Sequence, residues 1–116
     1  MNRWIQGLLV TLLVTLLILL TAPGLGNTAG SSEGAELFQQ HCAACHINGG
    51  NIIRRGKNLK LKALERQGIA SVDAIAQIAR EGVGQMSGYG ELLGPGGDQI
   101  VAEWIWEQAQ KAWIQV

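Results

Sequence analysis

Residues 42–46 read Cys42-Ala43-Ala44-Cys45-His46, and this stretch decides the fold because C-x-x-C-H is the attachment motif of a c-type haem. Two thiols three residues apart on a helical turn can bond the two vinyl-derived carbons along one edge of a porphyrin. His46 then comes under the iron as an axial nitrogen ligand. The motif predicts one covalently bound haem, with Cys42 and Cys45 as cofactor-binding residues and His46 as a metal ligand.

Other interpretations of the cysteine pair are a disulfide, a thioredoxin-like redox pair and a zinc site. A redox pair normally lies beside a β-α-β unit, and the sequence has no strand pattern. A zinc site needs four ligands, whereas the chain offers two cysteines and two histidines, of which His41 adjoins the motif. Because His41 shares the helix and the porphyrin edge of Cys42, we expect it to be a surface residue and not a ligand.

The sixth iron ligand is predicted to be Met86, the one methionine outside the N-terminal segment. Methionine is more often a core residue. This one lies in the glycine-rich stretch from Gly82 to Gly97, which has few apolar neighbours for it and would gain an anchor from an iron–sulfur bond. A thioether opposite a histidine stabilises ferrous iron and raises the reduction potential, which suits electron transfer.

The first 29 residues have the layout of a secretory signal peptide. Arg3 precedes an apolar run from Leu8 to Leu20 that only threonines interrupt, and small residues follow. We expect cleavage near Gly26 to Ala29, which leaves residues 30–116 as a single domain. The alternative is an uncleaved membrane anchor, since Ile5 to Ala22 comes close to the roughly 20 residues that span a bilayer. An export signal is consistent with the predicted haem, because c-type haem is attached outside the cytoplasm.

Charge is balanced over the chain, with nine basic and nine acidic residues, and this argues against nucleic acid as a general partner. The basic residues are nevertheless concentrated in residues 54–66, where Glu65 is the one acid. This basic segment can steer the protein to an acidic partner, hold the haem propionates, or serve only as a solvated face. Its cations are Arg54, Arg55, Lys57, Lys60, Lys62 and Arg66.

Hydrophobic spacing after residue 32 predicts short helices joined by glycine-rich loops, and no segment has a strand pattern, so the class is all-α. A flexible lead from Gly24 to Ser32 is expected before them. The predicted caps are Ser32, Ser71 and Asp98 at N-termini and Gly68 at a C-terminus. The predicted helices run from Glu33 to about Ala43, from about Leu59 to Arg66, from Val72 to the glycines at 82 and 84, and from Gln99 to about Lys111.

With these residues placed, the chain resembles the cytochrome c6 family of oxygenic phototrophs from Gly34 to Trp113. The family's G-x-x-x-F-x-x-x-C-x-x-C-H pattern is matched by Gly34, Phe38, Cys42, Cys45 and His46. Further similar segments are Gly49-Gly50-Asn51-Ile52-Ile53, Lys57 with Leu59, Ala63-Leu64, Val101-Ala102-Glu103-Trp104-Ile105 and Lys111-Ala112-Trp113. The resemblance implies a class I cytochrome c fold of four to five short helices, in which the first and last helices cross at Gly34 with Phe38 against Trp104.

The resemblance also implies a one-electron carrier, not an enzyme. Members of the family carry electrons in photosynthesis, in the thylakoid lumen, from the cytochrome b6f complex to photosystem I. We therefore expect an exported protein, in the thylakoid lumen or the periplasm, whose partners are larger redox complexes. The alternatives are an anchored cytochrome subunit of a membrane complex, and a sensor or peroxidase-like enzyme, which would need an open iron position and a positioned acid or base.

Two positions depart from the family pattern. Ser87 stands where the family usually follows its ligand methionine with proline, which predicts a less rigid loop. Ile78 stands where the high-potential members have a glutamine, and the low-potential branches have a branched aliphatic residue there. Gln77 lies about 100 degrees round the helix and would not take its place. We therefore expect a reduced potential, and the alternative function is that of a low-potential c6-like carrier with an acceptor other than photosystem I.

Overall fold

The computed structural model describes residues 2–20 and 28–114, and helices dominate both ranges. The all-helical class predicted from the sequence is confirmed. The elements are α1 (Arg3–Leu20), α2 (Thr28–His41), a 3₁₀ turn (Ile47–Gly49), α3 (Leu61–Arg66), α4 (Val72–Glu81), β1 (Gly82–Val83), β2 (Met86–Ser87), α5 (Gly90–Leu93) and α6 (Gly97–Gln110).

Helices α2 and α6 cross at Gly34. A Cβ atom on Gly34 would lie 2.6 Å from the Cβ of Trp104 and 2.9 Å from the carbonyl oxygen of Ile100, so glycine permits a close approach that other residues would block. Phe38 lies beside the crossing, with its ring centroid 4.9 Å from that of Trp104. The predicted crossing and its aromatic pair are confirmed.

The hydrophobic core lies between α2, α4 and α6. Helix α4 buries Ile75, Ala76 and Ala79 on one face. Helix α6 buries Val101, Trp104, Ile105 and Gln108. This core is one wall of the cavity described below, because Ile75, Ala79 and Ile105 also line that cavity.

Two of the predicted helix caps are confirmed. Helix α3 ends before Gly68, which has φ of +69°, and the N–H groups of Gly68 and Ile69 bond to the carbonyls of Glu65 and Leu64. This is the Schellman arrangement that glycine favours. At the start of α4, the Ser71 side chain accepts a hydrogen bond of 3.2 Å from the N–H of Ala74.

The predicted start of the first helix after the N-terminal segment is wrong. Helix α2 begins at Thr28, so residues 28–32 are helical where a flexible lead was expected, and Ser32 lies inside the helix where an N-cap was expected. No proline interrupts this segment, and an established helix extends at little cost per residue, even through Gly30. The helix ends at His41, and not at Ala43, because the cysteine motif forms turns.

The prediction that Asp98 caps the last helix is also wrong. Helix α6 begins at Gly97, and its N-cap residue is Gly96, with φ of +73°. Asp98 lies in the first turn, where its carboxylate suits the positive end of the helix dipole and pairs with Arg80 of α4 at 2.5 Å. The error arose because an aspartate is favourable both at the cap and within the first turn.

The expected absence of strands is wrong at one place. Strands β1 and β2 form a short antiparallel hairpin, in which Gly82 faces Ser87 and Val83 faces Met86. Gly84 has φ of +56° and starts the tight turn between the strands. Two residues per strand are too short to produce an alternating pattern that a sequence could reveal.

The N-terminal segment forms α1, whose large apolar side chains from Leu8 to Ile18 are exposed. A search of residues 2–20 and 28–114 found no helix both long and apolar enough to cross a membrane. The cleavage region expected near Gly26 to Ala29 begins outside the described residues, which resume at Thr28.

Candidate functional site

A single cavity brings together the residues predicted to bind the haem. It has a volume of about 480 Å³ and contains Cys42, Cys45, His46 and Met86 in its lining. Its walls are largely aliphatic and come from α3, α4, α6 and the loops that connect them. These wall residues include Leu59, Leu64, Ile69, Ile75, Ile78 and Ile105.

The cysteine motif forms a turn at the end of α2. The N–H groups of Cys42 and Ala43 both bond to the carbonyl of Phe38, and the N–H groups of Cys45 and His46 bond to that of Cys42. Both thiols reach the cavity from this turn. The buried Phe38 therefore ties the attachment turn to the crossing of α2 and α6.

The two cysteines are free thiols, so the disulfide interpretation is not supported. Burial, with a smaller contribution from the neighbouring Cys45, raises the pKa of the Cys42 thiol to about 11. A reactive redox cysteine has a lowered pKa, so Cys42 is not suited to be the attacking thiol of a thioredoxin-like pair. Nor do residues 2–20 and 28–114 contain a cluster of three or more His, Cys, Asp or Glu side chains able to hold a metal ion such as zinc.

His46 is oriented by a hydrogen bond of 2.7 Å between its Nδ1 and the carbonyl oxygen of Gly50. A carbonyl can only accept, so Nδ1 carries the proton and donates it to this bond. The Nε2 atom is then the unprotonated nitrogen, which is the form that binds a metal. The chain itself thus fixes the tautomer that an iron ligand needs.

Residues 46–51, here called the histidine turn, are held by contacts that the motif did not reveal. Asn51 accepts hydrogen bonds from the N–H groups of Ile53 and Arg54 and donates one to the carbonyl of Lys57. Gly49 has φ of +75° and lies against the ring of Trp113. Both residues belong to segments that resemble the family pattern, but only the fold shows what they contact.

Residues 82–88, here called the methionine hairpin, present Met86 to the cavity. A Cβ atom on Gly82 would lie 2.4 Å from the carbonyl oxygen of Met86, and one on Gly88 would lie 2.5 Å from that of Arg80. Glycine therefore permits the close backbone contacts that press this hairpin against the end of α4. After the hairpin, the N–H of Tyr89 bonds to the carbonyl of Ala79 at 2.8 Å.

Ile78 and Gln77 occupy different surroundings, as expected from their spacing. Ile78 lines the cavity, whereas Gln77 is exposed and donates a hydrogen bond of 3.2 Å to Glu81. The amide of Gln77 therefore does not substitute for a glutamine at position 78. An aliphatic side chain occupies that part of the cavity wall.

His41 is not the simple surface residue that the sequence predicted. It is half-buried and lines the cavity, and its ring centroid lies 6.3 Å from that of Tyr89. The prediction failed because the chain after Met86 folds back over the end of α2, a long-range contact that local spacing does not reveal.

The basic segment lies on the surface beside the cavity. All six of its cations are exposed, and none forms an ion pair with an acid among the described residues. Arg54 and Lys57 line the haem cavity. Arg55 and Lys60 line a neighbouring shallow groove of about 410 Å³, together with the exposed side chains of Ile47 and Ile52.

The residues of the cavity fit a c-type haem. Two thiols at the required spacing, an imidazole with its Nε2 free and a thioether are the donor set for thioether attachment and His/Met ligation. Aliphatic walls suit the face of a porphyrin, and Arg54 and Lys57 suit its carboxylates. A single site thus combines an apolar slot with a few polar groups, as cofactor sites do.

Comparison with known sequences gives close relatives over most of the chain. Residues 29–105 match the model of the family described as cytochrome c oxidase, cbb3-type, subunit III. A protein from Nostoc sp. PCC 7120 named cytochrome c6-like is 43% identical over 97% of this chain and 99% of its own length. A cytochrome c6 from Synechococcus sp. PCC 6312 is 37% identical over 91% of this chain and 93% of its own length.

Solved structures agree with this assignment. The crystal structure of cytochrome c6B from Synechococcus sp. WH8102 is 72% identical, has a TM-score of 0.72 and covers 74% of this chain and 98% of its own. Oxidised cytochrome c6A from Arabidopsis thaliana is 34% identical, with a TM-score of 0.69 and coverage of 75% and 97%. At these identities the likeness extends beyond the fold to the sequence of the chain.

Proposed function

Because the chain belongs to the cytochrome c6 family and so carries electrons on one covalently bound c-type haem, we propose that four residues of its cavity hold that haem. The fold is that of a class I cytochrome c. In the proposal, Cys42 and Cys45 would form the two covalent bonds to the haem, and His46 and Met86 would ligate its iron.

Each residue has one task in this proposal. When bound, the haem supplies a one-electron couple between ferrous and ferric iron. His46 offers Nε2 because Gly50 holds the proton on Nδ1. Met86 offers a polarisable thioether, which favours the ferrous state. The aliphatic walls would give a bound haem largely apolar surroundings.

The observation that carries the proposal is that all four side chains line one cavity. The test is spectroscopy of the folded holoprotein. We expect the oxidised protein to show the methionine-to-iron charge-transfer band, and the reduced protein to bind no carbon monoxide. Met86→Ala should remove the band and permit carbon monoxide binding. A wild-type protein without the band, or one that binds the gas readily, would favour the sensor or peroxidase-like alternative over a carrier with no catalytic role.

A reduced potential is the second part of the proposal. It is supported by Ile78, whose aliphatic side chain lines the cavity where a glutamine amide would add a polar group. The relatives named cytochrome c6-like, c6A and c6B are consistent with a c6-like carrier. Equilibrium titration of the potential tests this directly, since a value equal to that of high-potential members would contradict it.

The partners are proposed to be larger redox complexes with acidic docking surfaces, such as the cytochrome b6f complex and photosystem I. Nucleic acid is not among the proposed partners. Charge complementarity supports an acidic partner, because the cations of the basic segment are exposed and unpaired within the described residues. Arg54 and Lys57 line the cavity, so a partner bound there would lie beside the haem.

Small redox reagents of opposite charge test this surface without the natural partner. Lys57→Gln should slow oxidation by ferricyanide several-fold at low ionic strength and speed oxidation by a cationic cobalt phenanthroline complex. Lys111→Gln makes the same charge change outside the residues that line the cavity and should have a smaller effect. Equal effects of the two substitutions would mean that only net charge matters.

We also propose that residues 1–29 are a signal peptide and that residues 30–116 form the exported cytochrome domain. The supporting observation is the apolar run of α1 that follows Arg3. The location would be the thylakoid lumen or the periplasm. N-terminal sequencing of the native protein decides between this and an anchored subunit, because an intact Met1 to Ala22 segment would identify a membrane-bound form.

A further inference from the structure

Trp113 has a backbone conformation that bulky residues rarely adopt. Helix α6 ends at Gln110, and both Ala112, with φ of +54°, and Trp113, with φ of +59°, lie in the left-handed region. Such a conformation costs free energy in a residue with a Cβ atom, so other contacts must stabilise it. It turns the chain back onto the protein, where Trp113 is only 7% exposed.

Those contacts involve the histidine turn. The indole Nε1 of Trp113 donates a hydrogen bond of 3.1 Å to the carbonyl of Leu59, and the N–H of Leu59 donates one of 2.8 Å to the carbonyl of Gly49. The indole ring also lies directly against Gly49, since a Cβ atom there would fall 2.3 Å from the ring. Trp113, Leu59 and Gly49 thus form a closed set of contacts.

This set is continuous with His46. The N–H of Gly49 donates a hydrogen bond of 3.0 Å to the carbonyl of His46, and the next carbonyl along the chain, that of Gly50, accepts from His46 Nδ1. The position of Gly49 therefore determines where the Gly50 carbonyl lies. Gly49 has φ of +75° and is buried, which leaves Trp113 and Leu59 to define its position.

We propose that Trp113 is a positioning residue for His46, whose indole sets the hydrogen bond between Nδ1 and Gly50 and thereby the reduction potential. The inference rests on the proposed role of His46 as iron ligand. A strong hydrogen bond from Nδ1 makes the imidazole a better donor through Nε2, which stabilises the ferric state. Loss of the indole N–H should weaken that bond and raise the potential.

The test uses Trp113→Phe in the folded holoprotein. We expect the Nδ1 proton of His46, observed by NMR in the reduced state, to exchange with solvent about fivefold to tenfold faster, the ratio that one ordinary hydrogen bond accounts for. The reduction potential should rise in the same variant. Trp106→Phe is the matched control, because Trp106 packs on the same core from α6 but its indole makes no hydrogen bond within the described residues.

A second form of the protein removes the risk that Trp113→Phe fails to fold. Benzothienylalanine at position 113 keeps the shape of the indole and replaces its N–H with sulfur, so the packing against Gly49 remains. Unchanged exchange and potential in this protein would overturn the proposal, as would equal changes in Trp106→Phe. The ligand assignment is checked separately: His46 ring protons in the reduced wild type must show the large ring-current shift of an axial ligand, and without it the proposed site itself fails.

Discussion

The histidine turn and the methionine hairpin supply the two proposed axial ligands, but the chain holds them by different means. Side chains hold the histidine turn: Asn51 makes three hydrogen bonds, and Trp113 covers Gly49 and bonds to Leu59. The methionine hairpin has no side-chain hydrogen bond within the described residues, and close backbone contacts at Gly82 and Gly88 fix it instead.

This difference predicts different failures on the two sides. A hydrogen-bonded turn that loses one bond retains the others, so its ligand stays in place while stability or potential changes. A hairpin held by close backbone packing has no remaining bonds to keep it in place, because an added methyl group must displace the backbone itself. Substitutions in the hairpin should therefore remove the ligand, and substitutions in the turn should leave it bound.

The largest effect is expected for Gly88→Ala. The added Cβ would lie 2.5 Å from the carbonyl oxygen of Arg80 and 2.7 Å from the carbonyl carbon of Glu81, so the hairpin must move away from α4. We expect loss of the methionine-to-iron charge-transfer band and a fall of about 1–3 kcal/mol in the free energy of unfolding. Gly56→Ala is the control, because a Cβ there meets nothing within 4 Å. An intact charge-transfer band in Gly88→Ala would contradict the proposed difference between the methionine hairpin and the histidine turn.

A smaller effect on the iron site, with no ligand loss, is expected for Asn51→Ala. The substitution removes the acceptor for the N–H groups of Ile53 and Arg54 and the donor to Lys57. We expect the free energy of unfolding to fall by about 1–3 kcal/mol while the charge-transfer band remains. Asn51→Asp keeps the acceptor and loses only the donor, so denaturant titration should place it between the alanine variant and the wild type. Loss of the band in either variant would contradict this view of the turn.

The cavity wall beside the hairpin gives the next prediction. Ile78→Gln introduces an amide N–H into the aliphatic wall, where a partial positive charge favours the added electron. An interaction of ~1 kcal/mol corresponds to a rise of roughly 40 mV in the reduction potential of a one-electron couple. Gln77→Ile, which changes an exposed residue on the same helix, should leave the potential unchanged. Equal reduction potentials for Ile78→Gln and the wild type would contradict the proposal that Ile78 lowers the potential.

Local chemistry made part of this molecule predictable from its sequence. The cysteine motif, the Ser71 cap and the Gly68 stop depend on neighbours within a few residues, and the helices they predict are present. Gly34 against Trp104 was predictable only through the family resemblance, since 70 residues separate the two positions. The structure confirms that Gly34 lies directly against Trp104.

Long-range contacts account for what the sequence did not reveal. The position of His41 beside Tyr89 and that of Trp113 on Gly49 both depend on segments that meet only after folding. The Asp98 cap failed for a related reason, because the favourable partner of Asp98 is Arg80 on another helix. Where a side chain suits two local roles equally well, a distant partner of this kind determines which role it takes in the fold.

That ion pair gives the smallest expected effect. The hydrogen bond from the Arg80 guanidinium holds the pKa of Asp98 below its ordinary value. The pair therefore contributes stability above the ordinary aspartate pKa, near ~4, and the contribution is lost as the pH falls through the lowered value. Since Arg80 is half exposed, solvent screens the pair.

Asp98→Asn should lower the denaturation midpoint at neutral pH by less than Asn51→Ala does, and the difference from wild type should vanish in strong acid. A double-mutant cycle with Arg80→Gln isolates the pair from the helix-dipole contribution of Asp98. Arg80 also lies over Gly90, three residues from the end of β2. If steric fit alone holds the methionine hairpin, the charge-transfer band will survive in both variants; its loss in Asp98→Asn would show that an electrostatic contact helps to hold Met86 as well.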